Sequence, residues 1–307
     1  MPVHTDMSSR NRNSQSKQAE KLIREVKKNP KILIFIAAVL IIACIISYAT
    51  TGSFIPIYSP ADTGDEPTFH FIDVGQGDST LITYNGEAVL IDAGPESSGA
   101  STAEYVWMYA QTIDYFVITH PHEDHMGGAV DVLEKCDVEC IIMPEDVSKE
   151  HFFKDTLSTA ERLGIEVVVL EGASTYILDG ITVEIADNSD LDHDDLNNAS
   201  LFVKVTAGST TCLFTGDAEY SAETFAVGNY GKYYLDCDIF QAGHHGSKTS
   251  NSVLLLDYVT PDICVISCGR DNSYGHPHGV ALSRLEKTGA EIRRTDLEGT
   301  VVIKGKK

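Results

Sequence analysis

Beyond residue 67, short runs of β-branched and aromatic residues alternate with longer stretches in which apolar positions recur every three or four residues. The short runs predict strands over residues 69–74, 79–84, 88–91, 115–119, 140–143, 166–170, 182–185, 200–205, 211–215, 239–242, 263–267 and 300–303. The longer periods predict helices over 102–111, 126–135, 154–163, 218–225, 253–258 and 280–287. Strands interleaved with helices imply an α/β fold, and this number suits two sheets with helices on their outer faces and polar motifs at strand ends. No internal repeat is visible in the sequence.

One apolar run breaks the rhythm. Residues 32–49, ILIFIAAVLIIACIISYA, carry no charge and are long enough to cross a bilayer as one helix. Lys21, Arg24, Lys27, Lys28 and Lys31 precede the run, and cations on that flank put the N-terminus in the cytoplasm. The expected organisation is a basic cytoplasmic tail over 1–31, disordered in its polar first 20 residues, and a transmembrane anchor over 32–49. An extended linker with three Pro and two Gly follows over 50–67, and then a folded extracytoplasmic body over 68–307. The same run has two other readings. A signal peptide cleaved near Ser47 and Ala49 would leave the body secreted, and lipidation at Cys44 would leave it lipid-anchored.

Charge divides the chain in the same place. Residues 1–31 hold eight Lys/Arg against three Asp/Glu, a net +5, so the rest carries −27 of the overall −22. A body this acidic lacks the basic stripe of a module that grips nucleic acid through phosphate contacts alone. It does not exclude a phosphodiesterase, because bound divalent cations invert the local potential. Of seven Cys, six lie in the body (Cys136, Cys140, Cys212, Cys237, Cys264, Cys268), which permits up to three disulfides outside the cytoplasm. Cys212 and Cys264, inside apolar strand patterns, read as small core residues. No Cys and His share a zinc-finger spacing.

The chemistry concentrates in a few motifs. His120-Pro-His122-Glu-Asp124-His125 follows an apolar strand directly. Residues i and i+2 at a strand end point the same way, and the next turn brings Asp124 and His125 round to face them. Imidazole and carboxylate donors so placed suit two adjacent divalent ions. Seven of eleven His fall in this segment, in Gly243-His244-His245-Gly-Ser247 and in Tyr274-Gly-His276-Pro-His278. His4, His70, His151 and His193 form the background. Asp217, in Leu213-Phe-Thr-Gly-Asp217, ends another apolar strand; it is a candidate bridging carboxylate, or otherwise a helix N-cap. Asp190, Asp192, Asp194 and Asp195 read as a solvated acidic loop without the spacing of an EF-hand.

Taken in order, these segments resemble the hydrolase domain of ComEC-type competence proteins, within the metallo-β-lactamase superfamily. The resemblance rests on Phe71-Ile-Asp73-Val-Gly75-Gln76-Gly77-Asp78, Leu90-Ile-Asp92-Ala-Gly94, the 120–125 cluster, Asn197-Asn198-Ala-Ser200, Thr215-Gly-Asp217, His244-His245-Gly-Ser247 and Asn272-Ser-Tyr274-Gly-His276-Pro. It covers residues 68–307 and implies a four-layer αβ/βα sandwich with the site at one edge between the sheets. By position it implies that His120 and His122 hold a first ion, Asp124 and His125 a second, and Asp217 bridges them. One of His244 and His245, undecided here, completes the donors to the second ion, and the other contacts substrate. Asp92 orients a ligand imidazole. Asn198 and Ser247 stand near ligands or substrate, and Asp124, Asp217 and His276 are the expected catalytic residues, with His276 a proton donor or phosphate contact.

Many superfamily members carry another His where this chain has Asn197-Asn198, so the first ion is short of one imidazole. Mn²⁺ therefore rivals Zn²⁺. The chemistry implied is metal-assisted hydrolysis of a phosphodiester, either DNA or a related compound. A phosphorylcholine ester of wall polymers, or a lactone or lactam, is the alternative substrate. No stable protein partner is predicted, and the membrane is met through the N-terminal helix alone.

Overall fold

A computed structural model describes residues 65–145, 149–186 and 196–307. The expected tail over 1–31 and anchor over 32–49, most of the expected linker and the acidic run at 190–195 lie outside the described residues. Among the described residues no helix is long and apolar enough to cross a membrane.

Two seven-stranded sheets form the body. The first contains β1 (Thr68–Phe71), β2 (Thr80–Tyr84), β3 (Glu87–Ile91), β4 (Thr112–Val117), β5 (Asp137–Pro144) and β6 (Glu166–Leu170), with β14 (Val301–Lys304) added beside β1. The second runs in the order β13 (Glu291–Arg294), β12 (Ile263–Ile266), β11 (Ile239–Gln241), β10 (Thr210–Phe214), β9 (Phe202–Ala207), β8 (Ile181–Ala186), β7 (Ser174–Ile177). Each sheet is antiparallel in its first strands and parallel in its later ones: β1 to β3 then β3 to β6, and β7 to β10 then β10 to β13. The two halves share this plan although the sequence shows no repeat. The β2–β3 hairpin turns on Asn85 and Gly86, at φ 56° and 90°, the left-handed pair such a two-residue turn needs.

Helices lie outside both sheets, giving four layers. α1 (Gly99–Tyr109), α2 (Glu123–Met126), α3 (Ala129–Lys135) and α4 (His151–Leu163) belong to the first half. α5 (Tyr220–Leu235), α6 (Val253–Val259), α7 (Gly279–Glu286) and α8 (Thr295–Glu298) belong to the second. The core between the sheets packs Phe71, Val89 and Ile142 against Val203, Phe214 and Val265, with the rings of Phe71 and Phe214 stacked 6.3 Å apart. Separate clusters join each sheet to its helices, through Val106, Val132 and Phe153 on one side and Ala222, Leu255 and Leu285 on the other. Burying these apolar faces is the main term that holds the layers together.

The six body cysteines are free and buried, which corrects the disulfide expectation. Cys212 and Cys264 are fully buried core residues. Burial pushes the Cys136 and Cys140 thiols up to about 11 and those of Cys264 and Cys268 to about 12, so they pack as inert small side chains.

Candidate metal centre

The motifs gather where strands end. Asp92 follows β3, the 120–125 cluster follows β4, Asp217 follows β10, and His244 and His245 follow β11, so the C-terminal ends of parallel strands deliver most of the donors. A cleft of about 580 Å³ opens there, lined by Gln76, His122, Asp124, Asp217, His244, His245, Tyr274 and His276 among others.

Two donor groups share Asp217: His120 with His122, and His125 with His245. The carboxylate divides between them. Oδ2 lies 3.9 Å from His120 Nε2, while Oδ1 lies 3.1 Å from His125 Nε2 and 3.6 Å from His245 Nε2. Asp124 Oδ2 is 3.2 Å from the same His245 nitrogen. His125 Nε2 and Asp217 Oδ1 are buried and face each other at 3.1 Å, yet neither makes a well-formed hydrogen bond. Such buried orphan atoms are expensive unless something satisfies them. A divalent cation fits this set of converging imidazole and carboxylate donors.

Each buried imidazole of the second group is held from behind by a carboxylate. Asp92 accepts from Thr119 N at 2.8 Å and Thr119 Oγ1 at 2.7 Å, and receives Nδ1 of His125 at 2.8 Å, as expected for an orienting residue. His245 Nδ1 meets Asp78 Oδ1 at 3.2 Å and the Ser267 carbonyl at 3.1 Å. Asp78 also falls within the second donor group. It faces the nitrogen turned away from Asp217, however, so the geometry makes it the orienting partner of His245 and leaves Asp124 as the donor. Asp78 lies in a motif quoted above without a role; its distance in sequence from His245 hides the pairing.

Between His244 and His245, left open by the sequence, burial and aim favour His245. His245 is buried with Nε2 facing Asp124 and Asp217. His244 is partly exposed, with Nε2 3.5 Å from Asp217 Oδ2 and Nδ1 3.6 Å from Glu219. Both residues adopt left-handed backbone, φ 52° and 53°, which is strained for non-glycine residues. A buried network stabilises the strain. Asn251 accepts from Gly243 N at 2.9 Å and donates to Gly243 O at 2.8 Å, and buried Glu223 accepts from the backbone of Asn251 and Ser252. Close packing also requires Gly77, whose φ is 148°: a Cβ there would stand 2.4 Å from the Asp124 carbonyl.

Two expected positions fall away from the cleft. Asn198 accepts from Glu219 N at 3.2 Å and so anchors the start of α5, while its neighbour Asn197 lines the cleft. Ser247 is buried, with its hydroxyl 2.9 Å from that of Thr249, and it does not line the cleft.

Electrostatics follow the same pairing. Burial alone would lower His125 and His245, but Asp217 with Asp92, and Asp217 with Asp78, outweigh it and hold both well above the ordinary imidazole value. Burial and His125 keep His120 well below that value. Burial and the neighbouring His245, His244 and His278 lower His276 to about 4. Imidazoles raised in this way hold their protons more tightly than a free imidazole, so a cation entering the centre competes with those protons. Metal uptake is therefore expected to release protons and to weaken as pH falls. Calorimetry in buffers of different ionisation enthalpy checks this, and uptake without proton release contradicts it. The same sign makes the paired charges stabilise the metal-free fold below the ordinary imidazole value, a contribution lost as pH rises through the raised ones.

Residues 72–270 match the model of the "Metallo-beta-lactamase superfamily". Among curated proteins, Recombination protein 2 of Haemophilus influenzae is 32% identical over 241 residues, covering 76% of this chain and 28% of that protein. ComE operon protein 3 of Bacillus subtilis is 26% identical over 249 residues, covering 75% of this chain and 32% of that protein. The chain thus spans about a third or less of the length of these relatives. Among solved structures, Igni18, described as a novel metallo hydrolase of Ignicoccus hospitalis, superposes with a TM-score of 0.51 at 17% identity, covering 78% of this chain and 100% of that one.

Proposed function

The chain belongs to the metallo-beta-lactamase superfamily, and from that premise we propose that it is a two-metal phosphodiesterase acting on DNA or a related phosphodiester. The observation that carries this reading is Asp217, with one carboxylate oxygen turned to each of two imidazole groups. His120 and His122 would hold one ion, and Asp124, His125 and His245 the other, with Asp217 between them. Bound divalent ions would supply Lewis acidity and a water acidic enough to attack at neutral pH. Two imidazoles without a third at the first position suit Mn²⁺ as well as Zn²⁺.

The chain's own residues orient and exclude. Asp92 and Asp78 fix which nitrogens of His125 and His245 face the cleft. His276, neutral at pH 7, suits hydrogen bonding to a phosphoryl oxygen better than proton donation. A relative named for recombination supports DNA as the source of the phosphodiester. The apolar run at 32–49 supports catalysis outside the cytoplasm on a single anchor. Protease added to intact cells is then expected to remove the body, and a protected body would overturn that orientation.

Substrate class is tested by supplying the chelated, metal-reconstituted protein with single-stranded DNA, bis(p-nitrophenyl) phosphate, a phosphorylcholine ester and a lactone. Metal-restored cleavage of the first two supports the proposal. Cleavage of the phosphorylcholine ester alone would point to wall metabolism, and cleavage of the lactone alone would remove phosphodiesters from the account.

A further inference from the structure

Tyr274 is the one phenol ring among the described residues lining the cleft, and it is 66% exposed. Its ring is stacked on that of His276, with centroids 5.6 Å apart and planes 23° from parallel. The loop that carries it is clamped. Asn272 donates through Nδ2 to the carbonyls of Gly269 at 2.8 Å and His276 at 2.6 Å, and accepts from His276 N at 3.0 Å. Gln76 accepts from Gly269 N at 3.2 Å and lies 3.4 Å from His276 Nδ1, which ties the loop to the opposite wall. An aromatic ring held open to water beside a metal centre is preorganised to be covered by a ligand.

The cleft's charge narrows what that ligand is. Among the described residues no Lys or Arg lines the cleft, and the chain as a whole carries −22. Affinity for a nucleic acid cannot come from a track of phosphate contacts, the usual source. It has to come from the ions at one phosphate and from a base against an aromatic face, which tolerates any sequence. A base inside a duplex is already stacked on both sides and out of reach. A quaternary ammonium group is best held by several aromatic walls, and this cleft offers one phenol ring.

We propose that Tyr274, backed by His276, is a stacking subsite for an unpaired nucleobase next to the scissile phosphodiester, so that the substrate is single-stranded or a short nucleotide ester. This rests on the phosphodiesterase reading above and adds the base to it. The test uses the detergent-solubilised, metal-loaded full chain and two esters, thymidine 5′-(p-nitrophenyl phosphate) and its abasic counterpart. They share the sugar, phosphate and leaving group, so their ratio isolates the base. Wild type is expected to favour the thymidine ester in kcat/KM by roughly tenfold, mostly through KM. In Tyr274→Ala the ratio falls to about one, and in Tyr274→Phe it persists, which a general loosening of the loop would not produce.

Equal kcat/KM for the two esters in wild type, or a preference that survives Tyr274→Ala, overturns the subsite while leaving the phosphodiesterase intact. Cleavage of neither ester by the metal-loaded chain overturns both. A Tyr274-dependent preference for p-nitrophenyl phosphorylcholine over the thymidine ester would assign the ring to a quaternary ammonium and overturn the base.

Discussion

Asp217→Asn is expected to lower kcat/KM on a phosphodiester by on the order of 10³, equivalent to about 4 kcal/mol of transition-state stabilisation. It should also strip at least one ion from the protein. The carboxylate stands between two sets of imidazoles, Oδ2 towards His120 and Oδ1 towards His125 and His245, and an amide cannot present two equivalent anionic oxygens. The backbone that delivers it is held independently of the side chain: Asp217 N donates to Ser200 Oγ at 3.0 Å, and Gly216 packs so tightly that a Cβ would stand 2.8 Å from that same hydroxyl. The variant should therefore keep its circular dichroism spectrum while losing metal by elemental analysis. Full metal content with wild-type turnover would contradict the role of Asp217.

His245→Ala is expected to cost nearly as much, and His244→Ala markedly less. Removing His245 takes a donor from the second group and leaves Asp78 buried without the imidazole it orients; removing one member of a buried charged pair is costly in its own right. Its nitrogen also meets Asp124, so that carboxylate loses its partner too. His244 is partly exposed and reaches Asp217 only at 3.5 Å, a contact that water can replace. Metal titrations of both variants, followed by calorimetry, check the order. A larger loss of affinity in His244→Ala would reverse the assignment.

The strand-end motifs made much of this site legible in the sequence. A His-x-His-x-Asp-His cluster after an apolar strand announces its chemistry because ligand types and spacing are local. The buried parallel strands were equally legible, since both of their faces are apolar. Strands β7 and β13 were not predicted. Both are edge strands: residues of β7 alternate between half-buried and exposed, and β13 reads Glu-Ile-Arg-Arg, so neither carries an apolar signal. Long-range pairings were also illegible. Asp78 finds His245 across 167 residues, and the choice between two adjacent histidines depends on a left-handed turn fixed by Asn251 and Glu223. Asn198 and Ser247 each sit within a motif, yet spend their side chains on the backbone at the start of α5 and on a neighbouring hydroxyl.

The proposal that two ions at this centre hydrolyse a phosphodiester is tested most directly by titrating Mn²⁺ or Zn²⁺ into the chelated full chain while measuring bound ions and hydrolysis together. Turnover is expected to be absent without metal and to rise to its plateau as the content approaches about two ions per chain. Full turnover in the ion-free protein, or a plateau of activity with no ion bound, would contradict it.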